Sequence, residues 1–188
     1  MFRFLVILSA LPIITAFLLR WWLGIRILST TGKRQCSCNL TKWEETFGKD
    51  STPPSASADA RVHAEFLHKA ALSDWKTREP KAAATREAVR RFGMAVPPLT
   101  AMVMILPIII MKISPLLAIA FFLLAIALAA TFAYLGLAPE LRAIALTSRR
   151  LRDSRIYPRR EDEDAVVQAT TALAWKQAAP PIFNLIQR

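Results

Sequence analysis

Residues 94–111 carry no charged side chain, and neither do residues 113–137; Lys112 stands between the two runs. A helix crosses the hydrocarbon core of a bilayer with ~20 apolar residues, so each run is long enough to span one. Lys112, Ser114 and Pro115 leave space between them for a tight turn and little else. This predicts a transmembrane helical hairpin over 94–137. A further apolar run, Phe4 to Leu23 broken by Arg20, predicts a separate anchor over 1–24. It does not read as a cleaved secretory signal: its leading segment has Arg3 alone as a basic residue, and no small-x-small cleavage site follows. Arg20, Trp21 and Trp22 at its far end, and Lys112 at the hairpin tip, are residue types that mark membrane–water interfaces. The 54% hydrophobic content and positive mean hydropathy of +0.32 follow from these runs.

Charge sets an orientation. Thirteen Lys and Arg lie between Ile25 and Gly93 and nine between Ala138 and Arg188, against Arg3 at the N-terminus and Lys112 at the tip. The positive-inside rule places both polar segments on the cytoplasmic side, or the matrix or stromal side of an organelle, with the N-terminus out. The expected location is a bacterial inner membrane, with an organelle inner or thylakoid membrane as the alternative. The net charge of +11 fits anionic lipid headgroups. Nucleic acid is not expected as a partner, because no binding module accompanies the charge.

The polar segments divide by composition. Residues 25–60 lack periodicity and contain "STPPSAS", so they read as a polar linker with one short helix over Thr41–Phe47. Residues 61–93 read as an amphipathic helical region: Val62, Phe66 and Ala70, and Leu67, Ala71 and Trp75, recur at helical spacing, and Pro80 ends or kinks the first helix. Residues 138–188 read as a basic helix after Pro139, a break at Pro158, and an Ala-rich helix opened by Glu161–Asp164, whose carboxylates suit a helix N-terminus. The expected fold is therefore all-α: an anchor, a transmembrane hairpin, and amphipathic helices on the cytoplasmic or matrix side. Cys36 and Cys38 read as free thiols in a reducing compartment, with no second cysteine pair to complete a zinc ribbon.

Residues 62–69, "VHAEFLHK", hold the one constellation that suggests chemistry. A zinc peptidase helix carries H-E-x-x-H, because residues four apart share a face and both imidazoles reach one ion while the Glu polarises its water. Here the first His is displaced to His63, about 140° from His68 on a regular helix. Ala64 occupies the ligand position. Glu65 and His68 keep the spacing of base and second ligand.

The order of elements from Ala64 onward resembles the bacterial membrane-bound neutral zinc metallopeptidases of the YugP-like family. "AEFLH" (64–68) stands at the zinc motif, "REPKAAATREAVRRFG" (78–93) at the connecting segment, "APELRAIALTSRRL" (138–151) at the motif with the third ligand, and "AVVQATTALAWKQAA" (165–179) at the terminal Ala-rich helix. The resemblance implies vestigial roles for Glu65 as base and for His68 and Glu140 as ligands, and it implies that His68 and Glu140 lie close together. It covers about two-thirds of the chain and departs at Ala64 and at Leu67, where the family has a glycine. Two donors are one short of a catalytic zinc site, so no catalytic residue, metal or other cofactor is expected.

Three functions compete. The first is a non-catalytic integral membrane subunit, a degenerate relative of these peptidases, whose partners are other subunits of a membrane complex and anionic lipids. The second is an active zinc peptidase that recruits His63 through a distorted helix. The third is a lipid- or protein-binding membrane adaptor.

Overall fold

The computed structural model describes residues 2–110 and 114–178. Its elements are α1 (Phe2–Leu19), a π-helical segment (Arg20–Arg26), α2 (Ile27–Thr30), a 3-10 turn (Thr31–Lys33), β1 (Gln35–Ser37), α3 (Leu40–Phe47), a second 3-10 turn (Lys49–Ser51), β2 (Ser57–Asp59), α4 (Ala60–Arg78), α5 (Pro80–Ile109), α6 (Pro115–Leu135), α7 (Leu137–Asp153) and α8 (Arg160–Ala178). Three helical stretches are long and apolar enough to cross a membrane: Ser9–Lys33, Pro80–Ile109 and Pro115–Asp153. The chain folds as two units, each assembled from segments that are separate in sequence.

The first unit comprises Met1–Leu19, Thr85–Gly136 and Ala178–Arg188. Here α6 packs on α1. Ala16 meets Ile126 and Ala130, flanked by Ile13, Phe122 and Tyr134, and the Tyr134 hydroxyl donates to the Ala16 carbonyl at 2.9 Å. Small residues let helix backbones approach closely where lipid supplies no hydrophobic drive. Accordingly Ala118, Ala120, Ala125, Ala127, Ala129, Ala130 and Ala133 of α6 are buried while Leu116, Phe121 and Leu135 are exposed. The α5 helix meets α6 through Phe92 on Phe132 and through Arg86, which donates to the Ala133 carbonyl at 2.6 Å. Ser114 caps α6, accepting from the Leu117 N–H, with Pro115 in its first turn. This is the cap-then-proline order that starts a helix. Of the expected interfacial residues, Lys112 lies outside the described residues.

The second unit comprises Arg20–Ala84 and Leu137–Gln177. It corrects the reading of 25–60 as a linker. This segment is folded and supplies core. Strands β1 and β2 pair antiparallel with Cys36 opposite Ala58, which adds a short ribbon to the expected all-α fold. Cys36, Cys38 and Trp43 are buried with Leu67, Leu151, Ile156, Tyr157 and Val166, and the Trp43 indole donates to the Ser51 carbonyl at 2.8 Å. Asn39 caps α3, and Gly48 ends it at φ 83°, a conformation that glycine adopts without strain. The acidic start of α8 is held by arginines: Arg34 to Glu161 at 2.7 Å and to Asp162 at 3.2 Å, and Arg152 to Glu163 at 2.9 Å and to Asp164 at 3.0 Å. Of the other three expected interfacial residues, Trp21 and Trp22 are exposed, whereas Arg20 is buried together with Gly24 on the inward side of the π-helical segment.

Candidate functional site

Helix α4 carries both histidines and both are buried, but in different surroundings. The His68 Nε2 lies 2.9 Å from Glu140 Oε1, with both side chains almost fully buried. Glu140 sits in the first turn of α7, where its carboxylate favours the positive end of the helix. The two residues that the resemblance places together are thus in direct contact. An ionised carboxylate only accepts, so the ring turns an N–H to it at Nε2.

The test of a metal site is the third donor. Two ligands of one tetrahedral zinc, each ~2.0–2.2 Å from it, would stand ~3.4 Å apart, so the 2.9 Å separation is that of a direct hydrogen bond between the two side chains. The position one turn before His68 belongs to Ala64, fully buried against Leu28, Ala169, Ala172 and Leu173. Three of these residues belong to α8, so a larger side chain at Ala64 would have to displace a packed cluster. Glu65 is not brought to the pair either. Its half-exposed carboxylate faces Arg61 at 3.4 Å. Among the described residues no group of three His, Cys, Asp or Glu converges as a metal site would. Among the described residues His68 and Glu140 thus remain two donors, where a catalytic zinc takes three protein ligands.

His63 belongs to a second cluster, which pattern reading missed. Helix α4 runs unbroken as an α-helix from Ala60 to Arg78, so no bulge swings His63 towards His68. The ring instead bridges Tyr157 Oη at 3.1 Å through Nδ1 and the Ser55 carbonyl at 3.3 Å through Nε2, with Cys38 Sγ at 3.9 Å. These contacts define a tautomer: Tyr157 donates to Nδ1, and Nε2–H points to the Ser55 carbonyl. Burial holds the His63 pKa below its ordinary value, against smaller opposing effects of the Ser55 carbonyl and Asp162. Burial also raises the Tyr157 pKa. It pushes the thiols of Cys36 and Cys38 up to about 11. Reactive cysteines sit in electropositive, accessible places that lower the pKa; these two have the opposite environment. Arg155, at φ 47°, turns the chain so that Ile156 and Tyr157 enter the core. The signal that could have found this cluster is Tyr157 beside Pro158, one of two tyrosines in the chain.

No protein family, curated protein or solved structure matches the chain.

The surface between α7 and α8 holds an open groove of about 380 Å³, lined by Leu141, Ile144, Val167 and Thr171 with Arg149 and Arg152. It contains no nucleophile–base pair of the kind a hydrolase needs.

Proposed function

We propose that the chain is a non-catalytic integral membrane protein, an accessory subunit of a larger membrane complex that keeps the architecture of a zinc metallopeptidase without its site. The observation that carries this reading is the wall at Ala64. The His68–Glu140 pair is retained as a buried cross-link between α4 and α7, while the space for a further ligand is filled by Leu28 and α8. An open catalytic site would keep an accessible position beside its ligands. A pair that serves packing keeps the hydrogen bond and excludes the ion. The reading of an active peptidase with His63 as a ligand loses its support, since both ring nitrogens of His63 are engaged elsewhere.

Membrane residence is supported by the three apolar helices and by the large side chains that face outward along them. Leu11, Leu99, Met102, Val103, Leu116, Ile119 and Leu135 are each more than half exposed. Exposed apolar surface on this scale marks a protein or lipid contact. The Lys and Arg distribution supports the orientation with both polar segments inside. Reporter fusions at residues 60 and 170 should fall in one compartment, and opposite compartments would refute that topology.

The deciding experiment is purification in mild detergent followed by elemental analysis, a peptidase assay and identification of co-purifying proteins. The expected result is no stoichiometric zinc, no hydrolysis and reproducible partner subunits. Stoichiometric zinc after exhaustive washing, with peptide cleavage, would overturn the reading.

A further inference from the structure

Helix α7 carries four arginines, and the fold treats them in two ways. Arg150 pairs with Asp74 at 3.4 Å. Arg152 pairs with Glu163 and Asp164 at 2.9 and 3.0 Å, which ties α7 to the start of α8. Arg142 and Arg149 are exposed, and among the described residues neither forms an ion pair. Seven residues apart, they share one face of the helix and stand about 10 Å from each other along it. Leu146 lies between them. It is 43% exposed, and apart from Trp21 and Trp22 it is the one large apolar side chain that the described part of the second unit leaves exposed. Arg149 also lines the groove between α7 and α8, together with Leu141, Ile144 and Ala145 of its own helix. On the opposite wall α8 contributes Val167 and Thr171. The groove is thus largely apolar, with an uncompensated basic edge on the α7 side.

We infer that the groove between α7 and α8 is the docking site for an acidic amphipathic helix of a partner protein, whose apolar stripe enters the groove and whose carboxylates meet Arg142 and Arg149. The inference rests on the reading of the chain as an accessory subunit and gives the partner a surface and a chemistry. A helix laid in a groove anchors its apolar side chains at i, i+3, i+4 and i+7. The spacing of Arg142 and Arg149 matches carboxylates two turns apart on such a helix. Charge complementarity selects an acidic partner, since opposite charges across an interface steer the encounter and fix the register. A membrane surface fits less well. An interfacial helix presents a whole face of protruding apolar side chains to lipid, whereas α7 protrudes Leu146 alone and Ile144 beside the groove is 2% exposed. A second copy of this chain is a poor source of the carboxylates, because the acidic start of α8 is already held by Arg34 and Arg152.

The test uses the full chain in isolated native membranes, with the photo-crosslinking residue benzoylphenylalanine placed at Ala145 or at Thr171, one on each wall of the groove. Each position should give a discrete protein adduct, and mass spectrometry of the cross-linked peptide should find an apolar stripe at helical spacing bordered by Asp or Glu. Arg149→Glu and Arg142→Glu should each lower the yield about tenfold, the scale of one charge-assisted contact. Arg149→Lys, and Arg160→Glu at an exposed arginine outside the groove, should leave it within about twofold. Arg142 and Arg149 are exposed and make no ion pair among the described residues, so their reversal spares the fold and a lost adduct reports on docking. Unchanged yield in both reversals, a cross-linked segment without carboxylates, or adducts only with phospholipid or with a second copy of this chain would overturn the inference. No adduct from either position while other subunits co-purify would overturn this inference alone. Absence of any co-purifying subunit would overturn the accessory-subunit reading and this inference with it.

Discussion

His68 and Glu140 join α4 to α7 by a 2.9 Å hydrogen bond between two buried side chains. Removing Glu140 takes the partner from the buried His68 Nε2, and removing His68 takes one partner from the buried Glu140 carboxylate; loss of a buried hydrogen bond of this kind costs about 1–3 kcal/mol. Glu140→Ala and His68→Ala should each destabilise the protein by about this amount, and the double variant should cost clearly less than the sum. A denaturant titration in detergent measures all three. Additive losses would show that the pair is not coupled.

Glu65 should behave as a surface residue. Its partner Arg61 is half exposed, as it is itself, and exposed i,i+4 pairs contribute about 0.3–0.5 kcal/mol. Glu65→Gln should therefore leave complex assembly intact and shift the melting temperature by no more than about 2 °C. In a working peptidase the same change would abolish turnover, so loss of a measurable activity on this substitution would contradict the proposed function.

The His63 cluster gives a pH dependence with a definite sign. The folded pKa is depressed below the ordinary 6.5, so the unfolded chain takes up the proton first as pH falls. Stability from burying the neutral ring is complete above about pH 6.5 and declines between there and the lower folded pKa. Wild type should lose melting temperature on acidification through this window, and His63→Gln should flatten that part of the profile. An unaltered profile in the variant would assign the dependence to other groups.

The thiols of Cys36 and Cys38, raised to about 11 by burial, should react slowly with a thiol reagent at pH 8 in the native protein and at ordinary rates after denaturation. Rapid labelling of the native state would mean that the β1–β2 ribbon opens readily.

Helix ends were legible because local chemistry sets them. Pro80, Pro115 and the acidic run at Glu161 mark the starts of α5, α6 and α8 within a residue or two. The contact of His68 with Glu140 follows from no local rule, since 72 residues separate them. What stayed hidden is non-local. In residues 25–60 the apolar residues Cys36, Cys38 and Trp43 follow no period, and composition alone suggests a linker; their partners Leu151, Tyr157 and Val166 arrive from α7, α8 and the turn between them. His63 and Tyr157 meet across 94 residues, a distance over which no spacing rule operates. Arg20 shows the same limit. Nothing in its type or place announces that the π-helical segment buries it.

Ala64 provides the sharpest test of the proposed function. On sequence grounds, Ala64→His writes H-E-x-x-H back into the chain and supplies the missing imidazole. The structure predicts a different result. Ala64 has no exposed surface and lies in one buried cluster with Leu28, Ala169, Ala172 and Leu173. An imidazole there must displace the α8 face, and overpacking of this kind typically costs about 1–3 kcal/mol. Ala64→His should therefore lower stability without binding zinc, seen as a reduced melting temperature that added zinc does not recover. Pairing it with Leu173→Ala, which clears part of the wall, should recover some zinc binding, read by elemental analysis, and still no peptide hydrolysis, because Glu65 faces Arg61 rather than the pair. Tight zinc binding and cleavage by the single variant would show that the site is intact apart from one side chain, and the protein would then be an enzyme one substitution from activity.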